Sequence, residues 1–506
     1  MKETFKISLS ELCYYLFFSI LFFAKGIGLY DGQMIFKICL LTAAIFVCVK
    51  IVLTSYSVKE MVLILLLMLL GVLVYKNSGE KSALVFLIMM IGAKNISFEK
   101  IMKVGLYVWG TAFGLMILTS LFGSKSELIF AHHKFGMDLL RRGMGYSHPN
   151  VLHVSYAILV VLILFSIQDK RKKRTAYILT FIGNIAIFWY SVSYTGFMLV
   201  LIFLVFQIYF SMRKEYTGAE KIIIGAIFPM CVLFSLLAPL AVEPDTPLFL
   251  LLNKLLNRRF YASRLYLLEN PVTLFGQRIS ASHTYALDSS YVTLFIYGGL
   301  VLFGLVCVGY MVAIYQNLKR NNGKALSVLL SFSIAGVIEP FLFNLSFKNL
   351  SLMVVAVTLY SLSKEGKRIA LLSEFDRQIE IPYRVNPEMQ NKEKKISKKG
   401  IAVVAIMTVL SGVCFMALKQ EPDAVYVGAK YCDIEGEPYC KDEKEMPAGE
   451  TVKIYGKQGA EQGYYRFAGN TLQYDKLRDA AMISYLVFLT GYFAAPYIAE
   501  RKKGKG

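Results

Sequence analysis

Fourteen apolar runs recur along almost the whole of this 506-residue chain, most of them near the roughly 20 residues that a helix needs to cross a hydrocarbon layer. They cover 11–28, 34–54, 61–75, 81–93, 102–122, 150–168, 175–190, 194–212, 221–241, 290–316, 325–343, 350–363, 400–418 and 481–499. Apolar residues within them do not alternate with polar ones, so the runs predict helices rather than barrel strands. A soluble chain this long divides instead into separate cores joined by polar linkers. Composition agrees, with 56% hydrophobic and 18% charged residues, where soluble domains carry about a quarter charged. The first run lacks a small-residue cleavage site and more spans follow it, so it reads as a retained span, not a signal peptide.

A net charge of +20 raises the question of nucleic acid, but its distribution argues otherwise. Lys170–Arg174 follows the sixth run, Arg213-Lys214 the eighth, Lys319-Arg320 the tenth, the basic stretch Lys364–Lys399 the twelfth and Arg501-Lys502-Lys503 the fourteenth. All fall on one side of an alternating topology, which the positive-inside bias makes cytoplasmic. Both termini are then expected inside a multi-pass protein of the cytoplasmic membrane, with membrane lipids and no nucleic acid as partners. A twelve-span body, 1–363, is followed by a basic cytoplasmic linker, 364–399, and a two-span hairpin, 400–506. Long outer loops fall at 123–149, 242–289 and 419–480. No internal repeat is visible, which disfavours transporter folds built from duplicated halves.

Cys13, Cys39, Cys48, Cys231, Cys307 and Cys414 lie in expected spans, where they read as small apolar residues. Cys432 and Cys440 lie in the last outer loop, where a disulfide is expected, two free thiols being the alternative. In that loop Thr451–Tyr455 and Tyr464–Phe467 alternate between glycines, which predicts a small β-rich outer module at 419–480. It would bind glycan, bind a partner, or simply cap the loop.

Candidate chemistry gathers on the outer side. His132, His133, His148 and His283 fall in outer loops, and His153 within about a turn of one. Six of sixteen arginines, namely Arg141, Arg142, Arg258, Arg259, Arg264 and Arg278, sit in the first two outer loops, whereas lysine dominates the cytoplasmic ones. Guanidinium offers phosphate a planar fork of donors, so these loops suit an anionic substrate. Ordinary loop charge and headgroup contact are the competing account. Residues 247–270 have leucines at helical spacing and arginines nearby, predicting one interfacial helix ended by Pro271. Glu339 is a carboxylate inside an apolar run, followed by Pro340 and, a turn later, Asn344. A buried ionisable residue is a functional candidate by default, and a near-surface glutamate reaching water is the alternative. The polar stretch Ser191–Gly196 fits either a sugar cavity or small-residue helix packing.

The segment Arg141-Arg142-Gly143-Met144-Gly145-Tyr146-Ser147-His148-Pro149-Asn150 resembles the glycine-and-HPN signature of Wzy-type capsular and O-antigen polysaccharide polymerases. Asn257–Arg264 followed by Leu274-Phe275-Gly276 resembles their large outer loop, although Ala262-Ser263 replaces the glycine expected before Arg264. Leu287-Asp288-Ser289-Ser290-Tyr291 and then Tyr297-Gly298-Gly299 is similar to the opening of their next span, and Glu339 and Asn344 match a late Glu/Asn pattern. The likeness covers roughly residues 1–363 and leaves out the C-terminal hairpin.

The resemblance implies an all-α polytopic membrane protein. It would have a GT-C-like helical body of 12–14 transmembrane helices and long extracytoplasmic loops. It implies a bacterial, metal-independent glycosyltransferase without a cofactor. Such an enzyme extends a glycan on undecaprenyl diphosphate, alongside flippase and chain-length regulator proteins. Negative charge grows on the leaving diphosphate, which preorganised arginines stabilise; Arg141, Arg142, Arg258, Arg259, Arg264 and Arg278 are the candidates. The acceptor hydroxyl must lose a proton to a base within hydrogen-bond reach, and His148, ranked first, His283, Asp288 and Glu339 are the candidates. Asn150, Tyr291 and Asn344 complete the expected substrate site. An O-antigen-ligase-type transferase is the nearest alternative. A lipid-linked oligosaccharide flippase is less favoured, because ionisable residues are sparse within the spans.

Overall fold

The computed structural model describes residues 2–122, 129–134, 137–279, 287–340, 348–363, 368–369, 372–384, 398–419, 425–428, 451–455, 461–465 and 476–492. Its helices are α1 (Leu9–Gly26), α2 (Met34–Leu53), α3 (Val58–Ser78), α4 (Ser82–Gly92), α5 (Phe98–Leu121), α6 (Pro149–Ser166), α7 (Lys170–Ser191), α8 (Tyr194–Met212), α9 (Gly218–Ala241), α10 (Pro247–Leu255), α11 (Arg259–Glu269), α12 (Ser290–Lys319), α13 (Gly323–Ala335), α14 (Leu350–Tyr360) and α15 (Lys398–Leu418). Residues 476–492 are also helical. Every one of the fourteen apolar runs overlaps a helix. Nine helices among the described residues are long and apolar enough to cross a membrane. The chain is therefore a helical, multi-pass membrane protein.

Local chemistry sets the helix boundaries. Ser57 and Glu60 form a capping box at the start of α3, and Thr217 and Glu220 another at the start of α9. Asp169 caps α7 by accepting from the backbone amides of Arg171 and Lys172, and those two bonds hold its carboxyl below the usual carboxylate range. Each cap satisfies amides that have no partner within the helix. Small residues then let the helices close. A methyl on Gly26 would strike the Ala112 side chain at 2.7 Å, and one on Gly105 would meet Leu162 at 3.0 Å. Trp109 is fully buried between these helices, with its indole N–H donated to the Ser155 carbonyl at 2.9 Å.

Contacts between the connecting segments sort into two ends of the helical bundle. At one end Glu60 pairs with Lys94 and accepts from Ser363, Glu11 pairs with Lys100, and Arg320 donates to Ser361. Strand β1 (Lys2–Ser8) pairs antiparallel there with a strand at Gln378–Arg384, and Asp376 accepts from the Ser10 amide and hydroxyl. The basic linker thus includes a segment bound to the N-terminal strand. This is the lysine end. The opposite, arginine end carries the loops that hold Arg141, Arg142, Arg259 and Arg264. Its strands Ile129–Lys134 and Met137–Arg142 pair with each other, and the first of them meets Val425–Gly428 in a sheet completed by Glu461–Tyr465 and Thr451–Tyr455.

Two elements depart from expectation. Residues 247–270 form two helices rather than one, because Asn257 and Arg258 both adopt left-handed backbone, with φ of 51° and 67°. The break stops α10 and starts α11 in a new direction. The larger departure is in α12. Phe228 of α9 stacks on Tyr310 at 5.0 Å between ring centroids and meets Tyr291 at 6.0 Å. A straight helix would separate residues 291 and 310 by roughly 28 Å along its axis. Phe295 and Phe303 likewise touch, at 5.3 Å. The helix therefore doubles back at Gly299, whose φ of 74° and ψ of 171° no helix contains.

A glycine is required there for space as well as angle, since a Cβ on Gly299 would lie 2.2 Å from the Gly276 nitrogen. The amides of Leu300 and Val301, freed by the break, donate to the carbonyls of Thr273 and Leu274. Only residues 300–319 make the crossing, at 1.5 Å per residue about 30 Å. Residues 290–298 lie folded against that crossing. Tyr291 meets Phe228 ten residues into α9, hence about 15 Å along it.

Candidate active site

The fold-back brings four separated stretches together around one guanidinium. Arg259, the first residue of α11, donates from Nε to Asp288 Oδ2 at 2.8 Å. One terminal nitrogen donates to Glu339 Oε1 and the other to Thr195 Oγ1, both at 3.3 Å. The left-handed backbone at Asn257 and Arg258 turns the chain so that Arg259 points in while Arg258 is exposed. Asp288 immediately precedes the reversed half of α12. Glu339 lies in the turn after α13, where its carbonyl accepts from the Ser290 hydroxyl and the Gly336 carbonyl accepts from the Ser290 amide. Thr195 starts α8.

Exposure separates the members of this group. The side chains of Arg259 and Glu339 are 11% and 12% exposed, and that of Asp288 is 31%. Arg259 pairs with two carboxylates, and a second cation, Lys348, acts electrostatically on Glu339. Burial makes such an arrangement costly unless each charge keeps its hydrogen bonds. Asp288 is the member open to a ligand. Beside it the Ser289 hydroxyl is buried, with no hydrogen-bond partner among the described residues.

The remaining expected site residues divide by task. Arg264 is committed to helix capping: one terminal nitrogen donates to the carbonyls of Pro239, Leu240 and Val242 at the end of α9. Those carbonyls have no partners within the helix. Arg142 is buried and donates to both oxygens of Asp479 at 2.9 and 3.0 Å, while Lys419 pairs with the same carboxylate. Tyr190 donates to Asp479 Oδ1 at 2.8 Å and to the Arg478 carbonyl. Asp479 is completely buried, so this group ties the C-terminal hairpin to α7 and the loop before α6.

Arg141 donates to the Ser191 carbonyl and to Asn150 Oδ1. Asn150 is thus held by protein. His148 caps α6, its Nδ1 accepting from the Asn150 amide at 3.1 Å. With Nδ1 accepting, the neutral ring carries its proton on Nε2, which makes it a donor rather than the first-ranked base. Tyr291 is buried and donates to the Ser333 carbonyl at 2.7 Å. It belongs to the core, not to a substrate surface, because the helix reversal turns it inward.

Arg258 and Arg278 are exposed, and Arg278 lies against Gly79 at the end of α3. His132 and His133 fall in the strand Ile129–Lys134. His283, Asn344, Cys432 and Cys440 lie outside the described residues.

The residues of Ser191–Gly196 divide between helix packing and the Arg259 cluster. Gly196 packs on His153, where a Cβ would come within 2.5 Å. His153 is fully buried between Ser191 Oγ and Asn184 Oδ1. Thr195, in contrast, faces the Arg259 cluster. Asp479, Tyr190 and Lys419 escaped sequence inspection. Their only signal was a carboxylate and a cation just outside two apolar runs. No group of three or more possible metal ligands occurs among the described residues. Comparison with known proteins finds no matching family model, no matching curated protein and no matching solved structure.

Proposed function

We propose that the chain polymerises lipid-diphosphate-linked oligosaccharide units into a surface polysaccharide, using the Arg259 cluster on the outer face of a bacterial cytoplasmic membrane. The observation that carries this reading is the meeting of Arg259, Asp288 and Glu339. They come from three segments that each resemble a polymerase motif and are far apart in sequence. In the proposed reaction an acceptor hydroxyl attacks the anomeric carbon of a lipid-linked glycan. The new carbon–oxygen bond replaces the bond to the diphosphate, and the hydroxyl proton passes to a carboxylate.

Asp288, the more exposed carboxylate, is the proton acceptor, and Glu339 and Thr195 orient Arg259. Arg259 itself is neutralised by its two carboxylates, so it holds them in place rather than binding the diphosphate. That binding falls to exposed outer cations, Arg258 and Arg278. On this reading the lysine end is cytoplasmic, in keeping with the positive-inside bias. The strands at 425–428, 451–455 and 461–465 belong to an outer module beside the first outer loop.

The test is Asp288→Asn and Glu339→Gln, with membrane levels checked. Long surface chains should fall about a hundredfold or more while single lipid-linked units persist. Long chains at normal levels in both variants would sink the assignment.

A further inference from the structure

A second feature lies at the opposite end of the bundle and is independent of the reaction. A cavity of about 260 Å³ opens between α2, α3 and α4. Leu40, Val47 and Ile51 form one wall, Ile64 and Met68 the other, and Ile88 contributes from α4; the sulfurs of Cys48 and Met68 are the only heteroatoms that the lining side chains carry. The cause is in the packing. α2 packs on α1 and α3 on α4, so the two successive helices diverge from the turn that joins them. Their outward faces, including Leu41, Ile45, Leu65 and Leu69, are exposed and apolar.

Water is a poor occupant, because the walls offer it no polar partners. An empty space of this size would forfeit dispersion contacts on every wall. In a bilayer the occupant at hand is hydrocarbon. From Leu40 to Ile51 the groove runs about 16 Å along α2, close to half of a hydrocarbon core roughly 30 Å thick. It starts at the lysine end, where Lys59 is exposed in the first turn of α3. We infer that this groove binds one acyl chain of an anionic phospholipid from the leaflet at the lysine end, with the headgroup phosphate toward Lys59. A long polyprenyl chain fits less well, since the groove is one leaflet deep and lies away from the Arg259 cluster.

The test uses the full chain in vesicles of phosphatidylethanolamine and phosphatidylglycerol, with a trace of phosphatidylglycerol bearing a diazirine in its acyl chain. After illumination, adducts are mapped by mass spectrometry. They should concentrate on the groove residues, several-fold above the exposed α9 residues Leu233 and Leu237. Ala44→Phe should lower the groove adducts several-fold and leave those on α9 unchanged. An even spread of adducts in the natural protein overturns the proposal without any variant. So does loss of groove labelling on adding an equal amount of unlabelled polyprenyl phosphate, since that assigns the groove to the other lipid.

Discussion

The arginine end holds two buried ion clusters of opposite design, on either side of the turn between α7 and α8. In one, a cation, Arg259, sits between two carboxylates, and one of these is 31% exposed. In the other, a carboxylate, Asp479, sits between Arg142 and Lys419, and it is fully enclosed. Arg141 reaches the Ser191 carbonyl at one end of the turn, and Arg259 reaches Thr195 just beyond the other. The contrast teaches that a buried ion pair is not by itself a functional signal. A sealed cluster satisfies its charges with protein and joins two elements. An open cluster with a partly exposed carboxylate leaves a group that a substrate can meet.

The largest expected effect comes from breaking the open cluster. Arg259→Ala leaves Asp288 and Glu339 without the cation that hydrogen-bonds them both. It should abolish long-chain product and lower stability by about 3–5 kcal/mol, the usual cost of removing one partner from a buried pair. Thermal unfolding in detergent and glycan gels report the two losses. Normal chain length in Arg259→Ala would erase the distinction between the clusters. Next comes Asp479→Asn, which should cost about 3 kcal/mol for the same reason and loosen the hairpin. The folded fraction should nevertheless keep its activity, as read by activity normalised to folded protein. If that normalised activity collapses, the sealed cluster takes part in the chemistry after all. The smallest effect is expected from Arg264→Ala. Loss of its bonds to the α9 carbonyls should cost about 1–2 kcal/mol without changing chain length. A strong loss of product there would restore Arg264 to the site.

Legibility in the sequence followed the range of the interactions. The apolar runs announced their helices because crossing hydrocarbon is a local demand on about 20 consecutive residues. Caps such as Asp169 and Ser57 act over only three residues, a similarly local demand. Glu339 stood out because a carboxylate in an apolar run is costly wherever its partner lies. The reversal at Gly299 was hidden. Nothing in Tyr297-Gly298-Gly299 distinguishes a glycine that lets helices pack from one that folds a helix back. That distinction depends on Gly276 arriving from another segment. For the same reason the arginines could be grouped but not sorted, since Arg264, Arg142 and Arg259 differ in what surrounds them.

By itself, then, the sequence determined that this is a helical membrane protein whose apolar runs form its helices and whose charges fall mostly in the segments between them. Those properties follow from transfer of side chains between water and hydrocarbon, which each residue pays locally. Only the tertiary structure decided that Arg259 meets Asp288, Glu339 and Thr195, that Arg142 closes on Asp479, and that His148 serves as a cap. Ion pairs and hydrogen bonds act over about 3 Å, and which groups come that close depends on where distant segments of the chain are brought together.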